Sequence, residues 1–470
     1  MAYKRGQEVF RDPKPFSYFV FPKYRKIVCD WCLKMCENEG ILKACTKCKW
    51  VYYCNQTCQK NAWKSHHKLE CKYLQTHYMT NIDKTNFSGA FEGVEKCQEL
   101  YLELLRTTLK LKNNGNEEYF QLPNGKKRYF ADLVSNADEL RKQDEIIYQE
   151  FYAQIFPAFK ILLGDDAIQS FDEFFEIYGK WRTNGTGIMP QSIPTIFKEQ
   201  DFIGRGFYLG YSCLDHSCAP NAHCIYNGKG IVVRTIEDVE NFSDLRITYF
   251  DPRGKTHERR KYLRENYFFD CNCARCEDPN SDAKFASLKC KSCPGWVHES
   301  TKICSSCHQT LKLIDEELNI VEKYKNGTLP KFEPTMTIKE IKSLLEKYTK
   351  IFHGFHKIFK QCVEVVLKSP IFALQCQKKD YDADLLWLEL RKLWLNYSYG
   401  FLPKYHQDFV FFHCSISEAC LALKLFDEAE FHLKKAEEIC KMAYGKDHPY
   451  MQECQERKMR LQFARVLALK

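Results

Sequence analysis

Cysteines and histidines at metal-ligand spacing are the residues of this chain best placed to do chemistry. Between 29 and 71 they read Cys29-x2-Cys32, Cys45-x2-Cys48, Cys54-x3-Cys58 and His67-x3-Cys71. A Cys-x2-Cys knuckle curls backbone around a metal, and donors four apart on a helix share one face, so eight donors make two tetrahedral zinc sites. His66 could compete, but only His67 stands four residues before Cys71. Further on, Cys271-x-Cys273-x2-Cys276 offers three thiolates and wants a fourth donor. Cys218, in Asp215-His216-Ser217-Cys218-Ala219-Pro220-Asn221, is the economical choice. Such a clip would pull that turn against Tyr267-Phe268-Phe269-Asp270 and make one pocket from two distant pieces. Cys290-x2-Cys293 with Cys304-x2-Cys307 reads as a further, ribbon-like zinc site, with His308 as an alternative donor and a structural staple as its default role.

These clusters absorb fifteen of the 25 cysteines. The others, including Cys36, Cys97, Cys213, Cys224 and Cys376, read as packing residues. Neither an apolar leader at Met1-Ala2-Tyr3-Lys4-Arg5 nor an apolar run near membrane-spanning length is visible, so no membrane role is expected. Reduced thiols in the cytoplasm and nucleus follow as the expectation, and clustered cysteines then favour metal over disulfides. With 44% hydrophobic and 28% charged residues, the 470-residue chain is an ordinary globular one, long enough for two to four domains. A net charge of +9 permits acidic partners without demanding them. The finger's lysines, Lys43, Lys47, Lys49, Lys60, Lys64, Lys68 and Lys72, leave DNA binding open, although no helix there offers a base-reading set.

The turn at 215–221 resembles the Asn-His-Ser-Cys-x-Pro-Asn signature of SET-domain lysine methyltransferases, with Asp215 where that family has asparagine. The cluster at 271–276 is similar to the post-SET zinc motif, and Tyr249 sits where the family keeps its catalytic tyrosine. With the finger at 29–71, the chain resembles SET and MYND domain (SMYD-type) proteins over nearly its whole length. The resemblance implies interleaved ligation in the finger: Cys29, Cys32, Cys54 and Cys58 on one ion, Cys45, Cys48, His67 and Cys71 on the other. It implies S-adenosylmethionine as methyl donor, contacted by Asn184, Asp215, His216, Tyr249 and Phe269, with Tyr267 walling the substrate lysine. It also implies proline-rich peptides at the finger and a C-terminal domain that covers the substrate cleft.

The positioning elements follow. The expected fold is α+β and multidomain: N-terminal SET strands at 1–28, MYND finger at 29–71, helical insert at 72–183, core SET at 184–270, the post-SET zinc cluster with the additional four-cysteine zinc site at 271–310, and a TPR-like helical domain at 311–470. Apolar residues recur on a helical period at Phe91, Val94, Cys97, Leu100, Leu104 and at Ile147, Phe151, Ile155, Phe159. Short strands are expected at 224–226, 231–233 and 245–250, and C-terminal helices near 336–352, 381–397, 407–424, 426–443 and 448–468. Gly204-Arg205-Gly206 does not follow a convincing strand and is not read as a dinucleotide site.

Besides Asp215, three departures from the family pattern matter. No Gly-x-Gly precedes the finger, so the chain is expected to begin partway into the first SET unit. Thr186 replaces an aromatic, and one extra residue separates Trp63 from His67. The leading expectation is a monomeric protein-lysine methyltransferase acting on histone or other proteins, and a regulator of transcription or chromatin. The alternative is a SET–MYND adaptor that recruits partners through the finger and the helical domain.

Overall fold

The computed structural model describes residues 2–36, 40–75, 94–164, 168, 170–190, 202–369 and 381–468. Phe91 and Cys376 therefore lie outside the described residues. The chain divides into two compact units. One comprises Met1–Asp215, Ala222–Arg246 and Lys261–Asp270; the other comprises His216–Asn221, Ile247–Arg260 and Cys271–Lys470. It is a mixed α and β protein, and no described helix is long and apolar enough to cross a membrane.

In the first unit, Glu8–Asp12 pairs antiparallel with Gly230–Thr235, which pairs with Ala222–Asn227. A second sheet sets Gly204–Phe207 between Ser17–Val20 and Thr186–Ile188. The Gly-x-Gly that looked isolated is thus itself a strand. A Cβ at Gly204 would lie 2.1 Å from the Phe19 carbonyl oxygen, so close strand packing fixes the glycine. Helices Val94–Lys112 and Phe171–Asn184 cover this sheet. Trp181 is fully buried there, 4.0 Å from the Phe207 ring, and its indole N–H donates to Glu103 O and Thr107 Oγ1. The insert is less purely helical than its periodicity predicts, because Tyr119–Gln121 and Lys127–Tyr129 form a hairpin.

The finger holds a two-residue hairpin, Lys43–Ala44 with Tyr52–Tyr53, and the helix Gln56–Ala62, capped by the Asn55 side chain on Cys58 N. Trp63–His67 is one π-turn. A π-turn takes up one residue more than an α-turn, which accommodates the extra residue seen in the sequence. Arg106, 5% exposed, donates to both Glu70 carboxylate oxygens at 2.7 Å, to Asp30 and to Tyr18 O, tying the finger to helix and sheet. A guanidinium buried this deeply is tolerated because two carboxylates and a carbonyl replace its water.

The second unit is mainly helical: Asp315–Lys325, Ile338–Ile351, Lys357–Leu367, Tyr381–Tyr399, Asp408–Ala422, Phe426–Ala443 and Pro449–Ala468. Thr337 and Glu340 close a reciprocal capping box at the start of one of them. Asp315–Lys325 and Lys357–Leu367 lie outside the segments expected near 336–352, 381–397, 407–424, 426–443 and 448–468, and they are helical like the other described elements after 312. Within this unit the 290–307 ribbon is held to the helices by ion pairs Lys291–Glu317 and Lys325–Glu299, and His353 N donates to Ser287 O just before it.

One buried carboxyl gives a pH test. Asp12 is 3% exposed and accepts the Gly210 N–H at 2.7 Å. Burial, with the Glu118 charge adding to it, outweighs the backbone hydrogen bonds and pushes its pKa up to about 6. A raised carboxyl pKa means that ionisation costs folded-state stability, fully above about pH 6 and not at all below the unfolded value of about 4. Asp12→Asn should therefore stabilise the chain at pH 8, by at most about 3 kcal/mol. Denaturant melts should show the gain shrinking to nothing as pH falls through 6 toward 4; a gain that persists at pH 4 contradicts this account.

Candidate metal and methyl-transfer centre

Each proposed zinc set is gathered in space. Cys29, Cys32, Cys54 and Cys58 form one group, and Cys45, Cys48, His67 and Cys71 another; Cys218 joins Cys271, Cys273 and Cys276, and Cys290 and Cys293 join Cys304 and Cys307. Within each group the donor atoms lie within 4.8 Å of one another. His66 is turned away, bonded to Asp30 Oδ2 at 3.2 Å, whereas His67 Nε2 is 3.7 Å from Cys48 Sγ. Backbone N–H groups point at the knuckle sulfurs: Cys54 N to Cys29, Ser292 N to Cys290, Gly295 N to Cys293 and Ser306 N to Cys304. Such donors favour thiolate, and four thiolates at this spacing repel one another unless a cation lies among them. The donor sets therefore suit zinc.

The 218–276 group lies wholly in the second unit and is ringed by arginines. Arg259, with no side-chain exposure, donates to Cys276 Sγ at 3.4 Å. Arg260 donates to the carbonyls of Cys271 and Cys276, and Arg275 to that of Cys218. Four thiolates around a dication leave two negative charges, which these guanidiniums offset.

His216 joins this group to Tyr249. The Tyr249 backbone N–H donates to His216 Nδ1 at 3.1 Å, and His216 Nε2 lies 3.3 Å from Cys218 Sγ. Because a backbone nitrogen can only donate, the ring proton sits on Nε2 and faces the sulfur. Burial holds the His216 pKa down at about 4, so the ring is neutral. It is flanked by Tyr249, centroids 5.2 Å apart, and stacks on Phe250 at 5.3 Å and 27°. Ser217 N donates to Ile247 O, fixing the neighbouring backbone. The strand expected over 245–250 is confined to Arg246–Ile247, since the chain then turns into the loop that carries Tyr249.

The first unit holds the remaining predicted residues. Helix Thr256–Tyr267 ends at Phe268, whose φ of 60° is left-handed. Its N–H closes onto Arg264 O, and the reversal separates Tyr267 from Phe269. Burial pushes the Tyr267 hydroxyl up to about 12, so it stays protonated, while the Phe269 ring is 36% exposed. Asp215 is exposed. Asn184 spends both amide hydrogens, on Val134 O at 2.7 Å and Lys180 O at 2.9 Å, leaving Oδ1 as its acceptor. Thr186, in place of the aromatic, pairs with the Tyr226 hydroxyl at 3.0 Å. The His216 bridge and the left-handed Phe268 had no sequence signal beyond the motif residues beside them.

Residues 29–71 match the family model of the MYND finger. Histone-lysine N-methyltransferase ASHR1 of Arabidopsis thaliana is 25% identical over 475 residues, covering 96% of this chain and 89% of that protein. Histone-lysine N-methyltransferase SMYD3 of Homo sapiens is 31% identical over 289 residues, 59% of this chain and 58% of that protein. N-lysine methyltransferase SMYD2 of Homo sapiens is 21% identical over 454 residues, 97% of this chain and 93% of that protein.

Asn184→Asp provides a check on the geometry. Replacing the amide donors with carboxylate oxygens against two carbonyls should cost about 2 kcal/mol in thermal or denaturant unfolding. Unchanged stability would place the two hydrogen bonds elsewhere.

Proposed function

We infer that this chain, which belongs to the SMYD-type family, is a protein-lysine methyltransferase that uses S-adenosylmethionine. The observation that carries this reading is the His216 bridge, which links the backbone of Tyr249 to the four-thiol group of Cys218, Cys271, Cys273 and Cys276. The roles implied by resemblance rest on these residues. Bound S-adenosylmethionine supplies a methyl group activated by its sulfonium. The Tyr249 hydroxyl offers an oxygen dipole to the reacting carbon, and Tyr267 walls the target lysine, whose amine loses its hydration and hence its proton more readily. Phe269, open enough to stack, suits an adenine, and Asn184 Oδ1 is an acceptor for a donor-side N–H. Asp215 and His216 complete the donor contacts. Positioning supplies much of the rate in such a displacement.

In this reading residues 184–270 are the SET core, 311–470 a TPR-like array, and the chain carries four zinc ions: two in the finger, one on Cys218, Cys271, Cys273 and Cys276, and one on Cys290, Cys293, Cys304 and Cys307. The finger takes proline-rich peptides, the array takes a further protein partner, and the protein works in cytoplasm and nucleus on histone or other protein substrates. A second reading, an adaptor without turnover, draws on Asn184, whose amide hydrogens are already committed.

The two readings separate in one assay. Incubated with labelled S-adenosylmethionine and a panel of lysine-containing proteins, the chain should label one or more of them. Tyr249→Phe should lower the rate about 100-fold or more while zinc content stays near four per chain. Donor binding absent by calorimetry, with all metal present, would leave the adaptor.

A further inference from the structure

We propose that Arg253 is a positioning residue: it clamps the loop that carries Tyr249 onto helices Tyr381–Tyr399 and Asp408–Ala422, so that turnover depends on the helical array. The proposal rests on the methyltransferase reading and deepens it. All the groups involved belong to the second unit.

Beyond Ile247 the loop has little local structure of its own. Thr248 Oγ1 bonds to Phe250 O, and Arg253 N donates to the Asp251 carboxylate. A loop arginine ordinarily points into water, yet this side chain is only 11% exposed. Its Nε meets Asp251 Oδ1 at 2.7 Å, one terminal nitrogen donates to Ser398 Oγ at 3.1 Å, and the other faces Asp408 Oδ2 at 3.6 Å. The guanidinium carbon is 4.9 Å from the Trp394 ring centroid and 5.9 Å from that of Phe412. The backbone is held as well, since the Tyr397 hydroxyl donates to Arg253 O at 2.9 Å.

Two carboxylates, a hydroxyl and two aromatic faces thus replace the water that this cation gives up. A planar guanidinium meets them together; an ammonium would reach only part of the set. One end of the 249–253 segment is fixed by His216, the other by the helices. A reacting group displaced by about 1 Å can lose about 100-fold in rate, so releasing the far end should be read in kcat. By the same path, a protein bound to these helices could tune turnover without touching the reacting groups.

The test uses the full chain with Arg253→Met, Arg253→Lys and the milder Tyr397→Phe. Readouts are kcat and KM on a labelled substrate, donor affinity, zinc content, and hydrogen exchange across 247–255. Arg253→Met is expected to lower kcat about 30- to 100-fold, with KM and donor affinity within about threefold and exchange in the loop accelerated. Arg253→Lys should recover part of that loss, and Tyr397→Phe should cost a few-fold. Full kcat with a loosened loop overturns the clamp and leaves the methyltransferase reading standing. So does unaltered loop exchange in Arg253→Met, or a change confined to KM. A wild-type chain that binds no donor and labels nothing overturns the methyltransferase reading, and this proposal with it.

Discussion

Once the chain leaves Ile247 for the 248–255 loop, the part-buried Tyr249 N–H needs an acceptor. His216 Nδ1 supplies it. That bond leaves the imidazole's remaining proton to point at Cys218, so one ring serves a backbone amide and a metal ligand together. The Tyr249 backbone and the thiol group are thus linked through one imidazole. Ring contacts to Tyr249 and Phe250 restrict the imidazole's orientation.

Charge is managed in the same local way elsewhere. Arg259, Arg260 and Arg275 surround the 218–276 thiols, Arg106 is matched to Asp30 and Glu70 beside the finger, and Arg253 is matched to Asp251 and Asp408. In each case the guanidinium fork meets several acceptors at once, which compensates the loss of hydration and fixes geometry.

Much of this was legible in the sequence because metal chelation imposes spacing. The cysteine knuckles, the i, i+4 pair of His67 and Cys71, and the return of Cys218 to 271–276 all follow from donor geometry. Helices with a long apolar period were legible for the same kind of reason. The 119–129 hairpin carries an Asn124-Gly125 turn signal, but its three-residue strands set among helices have too little alternation to stand out. The strand expected to 250 stops at Ile247, because the apolar run Ile247-Thr248-Tyr249-Phe250 serves a loop whose rings pack on His216. Arg253 reads as an exposed loop charge until partners far along the chain are in place. Asp12 gives no sign of its raised pKa, which arises from burial that only the fold supplies.

Hydrogen exchange at the Tyr249 amide in a His216→Phe variant tests the central claim most directly. Phenylalanine keeps the ring contacts and removes both nitrogens. With zinc content unchanged, the account predicts that the Tyr249 amide loses its protection. An amide that stays protected in that variant would show that the tyrosine is held by something other than the histidine bridge.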